Sequence, residues 1–379
     1  MMLLEHDAKE LLRALGLNVP RATLALTVAD AASAAIPVVV KAQVPVGGRG
    51  KAGGIRMART AAERDAATID ILGMTIKGHE VRSVRLEQPV DFIAEAYLSF
   101  TVDAATAKVR ILISPEGGMD IEDDAARVQL LSATSDLYPG EMQRHLDILC
   151  AALPAALQGP VGNAGRGLIQ AFFDLEAVML EINPLFITAD GDWMIGDAKL
   201  VADDNAFERN VAVRSRIEQQ PALYPEAALK LEQGFDFVRL NPNGRVGLVT
   251  TGAGLSMQLV DELTARGVSP FNFCDIRTGM FRGDPARLIQ VLNWIAQGAA
   301  VEVVMVNFFA GATDLAETTG LLLTALDSVA LKVPVVARLI GNNLDAALKI
   351  IADAGDPIAV ETDLDQAIAR TIAIIEGKR

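Results

Sequence analysis

Lys41 ends the apolar run Val38-Val39-Val40, and five glycines follow within the eight residues Gly47–Gly54. Glycines at that density let backbone N–H groups come close to a phosphate, and Arg49 and Lys51 add positive charge beside them. A Walker loop needs Gly, four residues and then Gly-Lys-Ser/Thr. Here Ala52 follows Lys51, so the hydroxyl such a loop offers to Mg²⁺ is missing and a metal must be held from elsewhere. The run Glu181-Ile182-Asn183-Pro184-Leu185, with Asp197 beyond it, supplies oxygens for that purpose. Mg²⁺ takes one or two protein oxygens and completes its shell with phosphates and water, so Asn183 and Asp197 suffice. Each group also has a plainer reading. A lysine after an apolar run marks a strand leaving the core, glycines make mobile surface loops, and Glu181, Asn183 and Asp197 alone fit an exposed polar face. Taken together they are the equipment for a nucleoside triphosphate and Mg²⁺.

These groups need elements to hold them. Ala8, Leu11, Leu12 and Leu15 recur at helical spacing, with Gly16 as the stop. Ile36–Val40 predicts a buried strand ending at Lys41. Glu95–Val102 and Val109–Ile113 predict a hairpin, and Ala177–Thr188 with Trp193–Leu200 predict another around the turn 189–192. Strands and helices mix irregularly to about residue 230, which predicts an α+β domain over 1–232. After Asn241-Pro242-Asn243-Gly244 the pattern turns regular. Strands read at Val246–Thr250, Phe271–Ile276, Val301–Phe309, Val333–Leu339 and Ile358–Val360, with helical patterns between and after them. Such alternation predicts a five-stranded parallel sheet covered on both faces, over 243–379, with binding residues just past the strand ends.

The chain as a whole excludes several classes. Its 379 residues suit two or three domains. A net charge of −14 argues against a nucleic-acid partner, because such binding rests on Lys and Arg neutralising phosphates. No apolar run approaches the ~18 residues of a membrane helix, and no basic segment followed by a long apolar run suggests a signal peptide. Cys150 and Cys274 form no disulfide framework or metal cluster, which fits a reducing, cytoplasmic setting.

Lys41, Gly48–Gly54, Glu116-Gly117-Gly118, Glu181–Leu185 and Asp197, in this order, resemble the β subunit of succinate–CoA ligase. The opening Leu4–Leu11, Gly252-Ala253-Gly254-Leu255 and Arg338 with Gly341-Asn342-Asn343 extend the resemblance over nearly the whole chain. It implies an ATP-grasp domain followed by a flavodoxin-like CoA-ligase domain. It further implies a nucleotide site (ATP or GTP) lined by Lys41, Gly48, Arg49, Gly50, Glu87, Val90 and Glu95. Val90 departs from the residue common in the family, a change that a backbone contact survives. Asn183 and Asp197 would hold Mg²⁺, and Glu181 would lie near a phosphorylated histidine. Thr251, Gly311, Ala312 and Thr313 would meet a small carboxylate substrate. None of His6, His79 and His145 has a setting for a phosphoryl carrier. The resemblance places that histidine, and most of the CoA site, on a separate α subunit.

The second domain departs from the family at its strand ends. The family's Asp-Val-Gly-Gly-Gly-Ala reads Asp275-Ile276-Arg277-Thr278-Gly279-Met280, its asparagine before Gly-Ala-Gly-Leu is Thr251, an arginine position is Asp314, and the glutamate of Arg-Leu-Glu-Gly-Asn-Asn is Ile340. Asp314 is expected to repel an anion at close range and Arg277 to restore positive charge from another loop, which weighs against succinate and leaves succinate, malate or a related small carboxylate as the candidates. Two other classes compete with the ligase. One is a non-catalytic or regulatory nucleotide-binding partner subunit, against which the presence of Glu181, Asn183 and Asp197 weighs. The other is a dinucleotide fold at Val246–Met257 with Asp275 as the ribose contact. Its third glycine is replaced by Met257.

Overall fold

The computed structural model describes residues 1–118, 130–276, 283–355 and 357–377. Two compact units divide the chain, Met1–Leu223 and Tyr224–Arg379.

The first unit opens with α1 (Glu5–Ala14), which buries Ala8, Leu11 and Leu12 as its periodicity predicts. Leu15 lies past its end and is exposed, whereas Glu5, Asp7 and Lys9 are buried. An antiparallel sheet runs in the order β1 (Ala22–Ala25), β6 (Val84–Glu87), β2 (Val38–Ala42), β3 (Ile55–Ala58). The helices α2 (Val28–Ala31) and α3 (Ala61–Leu72) cover it, with Ala31, Ala67 and Ile71 packed on Val38, Val40 and Leu86. A short hairpin, β4 (Thr75–Ile76) and β5 (His79–Glu80), adds Ile76 to that core.

A second sheet of six strands is also antiparallel. It pairs β7 (Ala94–Asp103) with β8 (Lys108–Ser114), and β8 with β9 (Leu131–Asp136). On the other side β7 meets β10 (Ala177–Ile187), which also pairs with β11 (Trp193–Ile195) and β12 (Ala198–Ala202). Both predicted hairpins are present, but Trp193–Leu200 is broken at Gly196-Asp197. The helices α4 (Pro139–Ala151) and α5 (Ala155–Asp174) pack on this sheet, where Phe172 meets Phe100 edge to face. The helix α6 (Val211–Gln219) completes the unit.

The second unit starts with α7 (Pro225–Gln233) and β13 (Asp236–Arg239). Leu229, Phe235 and Phe237 belong to its core, so the division falls before α7 rather than near residue 232. Four strands form a parallel sheet, in the order β14 (Val246–Thr250), β16 (Val303–Asp314), β17 (Val335–Asn342), β18 (Ala359–Glu361). The predicted fifth strand, β15 (Asn272–Asp275), pairs antiparallel with β13. It also runs parallel beside β14, joined by Phe271 N to Val246 O (2.7 Å) and Ile276 N to Thr250 O (2.9 Å), and between them the Asn272 side-chain amide takes a hydrogen bond from Leu248 N (2.9 Å) and gives one to Leu248 O (2.8 Å). Alternate residues face two helical layers. Val246, Leu248, Met305 and Val336 pack on α8 (Ala253–Ala265) and α12 (Leu364–Ile375). Val249, Val306, Phe308 and Leu339 pack toward α9 (Ala286–Ala296), α10 (Leu315–Ser328) and α11 (Leu344–Asp353). An α+β unit is thus followed by a flavodoxin-like α/β unit. No described helix is long and apolar enough to cross a membrane, and both cysteines are buried and free.

Candidate nucleotide and metal site

A cavity of about 780 Å³ opens in the first unit, within the usual size range of a small-ligand site. Lys41, Gly48, Arg49, Gly50, Glu87, Val90, Glu95, Glu181, Asn183 and Asp197 all line it. They converge from six places in the sequence because β2, β6, β7 and β10 present their ends or edges to one space, closed by the β2–β3 loop and the break before β12. The glycine loop is folded back on itself. Ala52 N donates to Gly48 O at 3.2 Å, Gly53 N to Gly50 O at 3.0 Å and Gly54 N to Arg49 O at 2.9 Å. Phe92 and Phe186 stack 4.4 Å apart on the cavity's apolar wall.

Beneath the cavity lies a buried network of charges. Lys41 Nζ donates to Glu5 Oε1 (3.1 Å), Glu87 Oε1 (2.8 Å) and Gly196 O (2.7 Å). Lys9 Nζ donates to Glu5 Oε1 (3.3 Å), Glu87 Oε2 (2.7 Å) and Gly196 O (2.6 Å). Arg49 reaches Glu5 Oε2 (2.7 Å) and Asp197 Oδ2 (2.5 Å), and Arg85 Nε reaches Glu87 Oε2 (2.7 Å). Four cations therefore share three carboxylates, with Glu10 on Arg85 at the margin. Burial opposes every one of these charges, and the partners decide the outcome. Lys41, then Arg49 and Lys9, hold the Glu5 carboxyl well below its ordinary value. Glu5 and Glu87 hold Lys41 above its own. Burial and the neighbouring Lys41 bring Lys9 down to about 8, and burial lifts Asp197 against the pull of Arg49.

Asn183 and Asp197 sit side by side, with Asn183 N donating to Asp197 O at 3.2 Å. The Asn183 amide is clasped by Gly118, accepting from its N at 2.7 Å and donating to its O at 3.0 Å. Gly117 makes that clasp possible, because a Cβ there would lie 2.6 Å from Ala96 O. One carboxylate and one amide oxygen are hard donors that fit Mg²⁺ with phosphates and water in its remaining positions. Glu181 accepts from Tyr97 Oη at 3.3 Å nearby. The break at Gly196 has a physical cause. Its carbonyl serves the two lysines, and a Cβ would stand 2.7 Å from Pro184 O and 2.6 Å from the Phe186 ring. Gly196→Ala is therefore expected to shift Asp197 and weaken Mg·ADP binding by about tenfold or more, at a stability cost of ~1–3 kcal/mol for the overpacking. Calorimetric titration beside urea unfolding separates the two effects.

Glu5, Lys9 and Arg85 are site residues that motif reading misses. For Glu5 and Lys9 the signal is a charged pair at i and i+4 on the apolar face of α1, next to Ala8 and Leu12, whereas Arg85 on β6 carries no such local signal. His6 belongs to the same neighbourhood. Arg85 NH1 lies 2.9 Å from His6 Nδ1, and since arginine only donates, Nδ1 must be an unprotonated acceptor. Burial first, and Arg85 next, bring His6 from 6.5 to about 4. Between those values the unfolded chain binds a proton that the folded chain refuses, so stability falls as pH drops through this window, by ~2–3 kcal/mol. Glu5 and Glu87 lose their contribution only lower, below the ordinary carboxylate value of 4.5. His6→Gln, which keeps an acceptor for Arg85, is expected to flatten urea midpoints between about pH 6.5 and 4.5.

In the second unit Thr251 is buried at the end of β14. Its hydroxyl accepts from Phe309 N at 3.0 Å and donates to Asn307 O at 3.4 Å. Gly311, Ala312 and Thr313 fall where β16 slips out of register with β17, between the pairs Ala310–Gly341 and Asp314–Asn342. Bulges of this kind re-aim a strand end, often beside a site. Asp314 is the N-cap of α10, accepting from Ala316 N (2.8 Å), Glu317 N (3.2 Å) and Asn343 Nδ2 (2.7 Å). Its carboxylate fills a helix N-terminus that would otherwise attract an anion. Asp275 Oδ1 accepts from Gly252 N at 2.8 Å, which sets a negative charge where a dinucleotide fold places a pyrophosphate. Arg277, Thr278, Gly279 and Met280 lie outside the described residues.

Comparison with known proteins agrees with this layout. Residues 2–187 match the ATP-grasp domain family and residues 249–372 the CoA-ligase family. Succinate–CoA ligase (ADP-forming) subunit beta of Rubrobacter xylanophilus is 36% identical over 381 residues, covering 96% of this chain and 95% of that one. The protein of the same name from Desulfurococcus amylolyticus is 33% identical and covers 100% of both. The ATP citrate lyase of Methanothrix soehngenii, solved in complex with citrate and coenzyme A, shares the fold with a TM-score of 0.69 over 99% of both chains at 19% identity. With an ATP-grasp unit, a CoA-ligase unit and full-length likeness to these relatives, the chain belongs to the succinate–CoA ligase β-subunit family of acid–thiol ligases.

Proposed function

We propose that this chain is the nucleotide-binding β subunit of a heteromeric acid–CoA ligase, which joins a small carboxylate to CoA at the expense of ATP. The observation that carries this is the convergence of two cations, a glycine loop and two hard oxygen donors on one cavity, in a chain with full-length relatives named as such subunits. Lys41, Arg49 and the N–H groups of Gly48 and Gly50 bind the phosphates, and the apolar wall with Phe92 and Phe186 takes the base. Val90 and Glu95 border the base and ribose. Asn183 and Asp197 hold Mg²⁺, which offsets phosphate charge when bound. Glu181 orients the histidine of an α subunit that takes the γ-phosphoryl group from ATP, releasing ADP, and passes it to the acid, after which the CoA thiol attacks the acyl carbon and phosphate leaves. Protein groups here mainly position and neutralise. Thr251 and the bulge Gly311–Thr313 meet the acid. The candidates are succinate, malate and related small carboxylates, and Asp314 at the α10 N-terminus disfavours the doubly charged ones against a less charged acid.

The test is ADP release by the chain reconstituted with its α partner, in MgATP, CoA and a panel of acids. Turnover that requires both CoA and one acid supports the ligase and names its substrate. A stable complex that binds Mg·ATP and never turns over overturns it in favour of a regulatory nucleotide-binding subunit.

A further inference from the structure

Two lysines share one set of acceptors, and only one of them faces the cavity. Lys41 lines it, whereas the Lys9 side chain is fully buried and does not. Both donate to Glu5, Glu87 and the Gly196 carbonyl. Given the nucleotide reading above, on which this inference rests, Lys41 and Arg49 must turn toward phosphates when the site fills. Their carboxylates would then be left in the interior with fewer partners, which is costly. Glu87 keeps Arg85. Among the described residues Glu5 is paired with Lys41, Arg49 and Lys9, and Lys9 is the member of that set that does not line the cavity.

We propose that Lys9 is a positioning residue of the nucleotide site: it holds Glu5, Glu87 and the Gly196 carbonyl in place so that Lys41 and Arg49 are free to exchange carboxylates for phosphates. It never touches the ligand. Without it, Lys41 is the one lysine left to bridge Glu5 and Glu87, beside Arg49 on Glu5 and Arg85 on Glu87, and is held back from the phosphates. The Gly196 carbonyl loses one of its two donors, and Asp197 is the next residue.

The role separates from plain structural support by charge balance. In the full-length chain, Lys9→Met is expected to weaken Mg·ADP binding about tenfold in calorimetric titration. Adding Glu5→Gln removes one carboxylate along with the cation and is expected to bring affinity back to within about threefold of wild type. A merely structural lysine gives the opposite ordering, since a second change in the same buried cluster adds damage. Wild-type affinity in folded Lys9→Met, or no recovery in the double variant, overturns the role. If Lys9→Met does not fold, Glu5→Gln alone decides: Lys41 and Arg49 lose a competitor for the phosphates, so it should bind Mg·ADP at least as tightly as wild type, and weaker binding overturns the role. Failure of the wild-type chain to bind ADP under any condition would overturn the nucleotide site itself, and the role of Lys9 with it.

Discussion

Asp197→Asn is expected to bind ADP more tightly than wild type in EDTA and more weakly in Mg²⁺. Asp197 Oδ2 lies 2.5 Å from Arg49 NH2, and Arg49 NH1 donates to Glu5. A metal-free diphosphate must therefore draw Arg49 away from a carboxylate and approach that carboxylate's own charge. Asparagine keeps the shape and removes the competitor, and a threefold to tenfold gain, roughly 1 kcal/mol, is the expected scale for one partly exposed pair. With Mg²⁺ the proposed site reverses the sign, because a metal held by Asn183 and Asp197 would lose the one charged member of that pair. ADP-forming turnover should fall about 10²–10³-fold, since the metal's offset of developing charge goes with it. Titration of each protein with ADP, in EDTA and in Mg²⁺, reads all four affinities. Equal losses in both conditions would mean that Asp197 shapes the Gly196 break and does not face a metal.

The parts of this site that were legible in the sequence are those with local chemistry. Lys41 with its glycines, and Asn183 with Asp197, carry their meaning within a few residues or across one hairpin. The alternation after Asn241 likewise announces a parallel sheet, because each buried strand is a short β-branched run. What the sequence hides depends on register. Glu5 and Lys9 meet Glu87 only because β6 lies between β1 and β2, with Val39 opposite Glu87 and Lys41 opposite Arg85. Lys41 and Arg49 read as free cations for phosphates and instead carry carboxylate partners. The strand β13 is missed because Asp236–Arg239 has two charged ends around just two apolar residues, Phe237 and Val238. Asp314 reads as a repelling charge, and hydrogen bonds from Ala316 N and Glu317 N show that it also serves as a helix cap. Capping and repulsion are compatible, and both keep an anion from the α10 N-terminus.

The first unit should be most sensitive to loss of Glu87. Its two oxygens serve Lys41, Lys9 and Arg85 at 2.7–2.8 Å, and it is 3% exposed. Glu87→Ala leaves three buried cations facing Glu5, with Glu10 at the edge, and a buried charge without its partner costs about 3–5 kcal/mol. Against a total stability of roughly 5–15 kcal/mol for a domain, that is enough to leave the first unit partly unfolded. Urea unfolding followed by Trp193 fluorescence, with Trp294 of the second unit replaced by Phe in both proteins, should show an early transition in the variant. Added salt should not restore it, because screening acts on exposed charges. Replacing Glu302, whose ion pair with Arg245 is bidentate but 45% exposed on both sides, should change little by comparison. A pH series distinguishes charge from cavity. Lys9 already titrates at about 8, and removal of Glu87 takes away an opposite charge and lowers it further. The variant's Lys9 then sheds its proton before the wild-type lysine does, so the deficit should shrink as pH rises from about 7 through 8. A deficit that stays constant over that range would assign the loss to the missing side-chain volume and not to unbalanced cations.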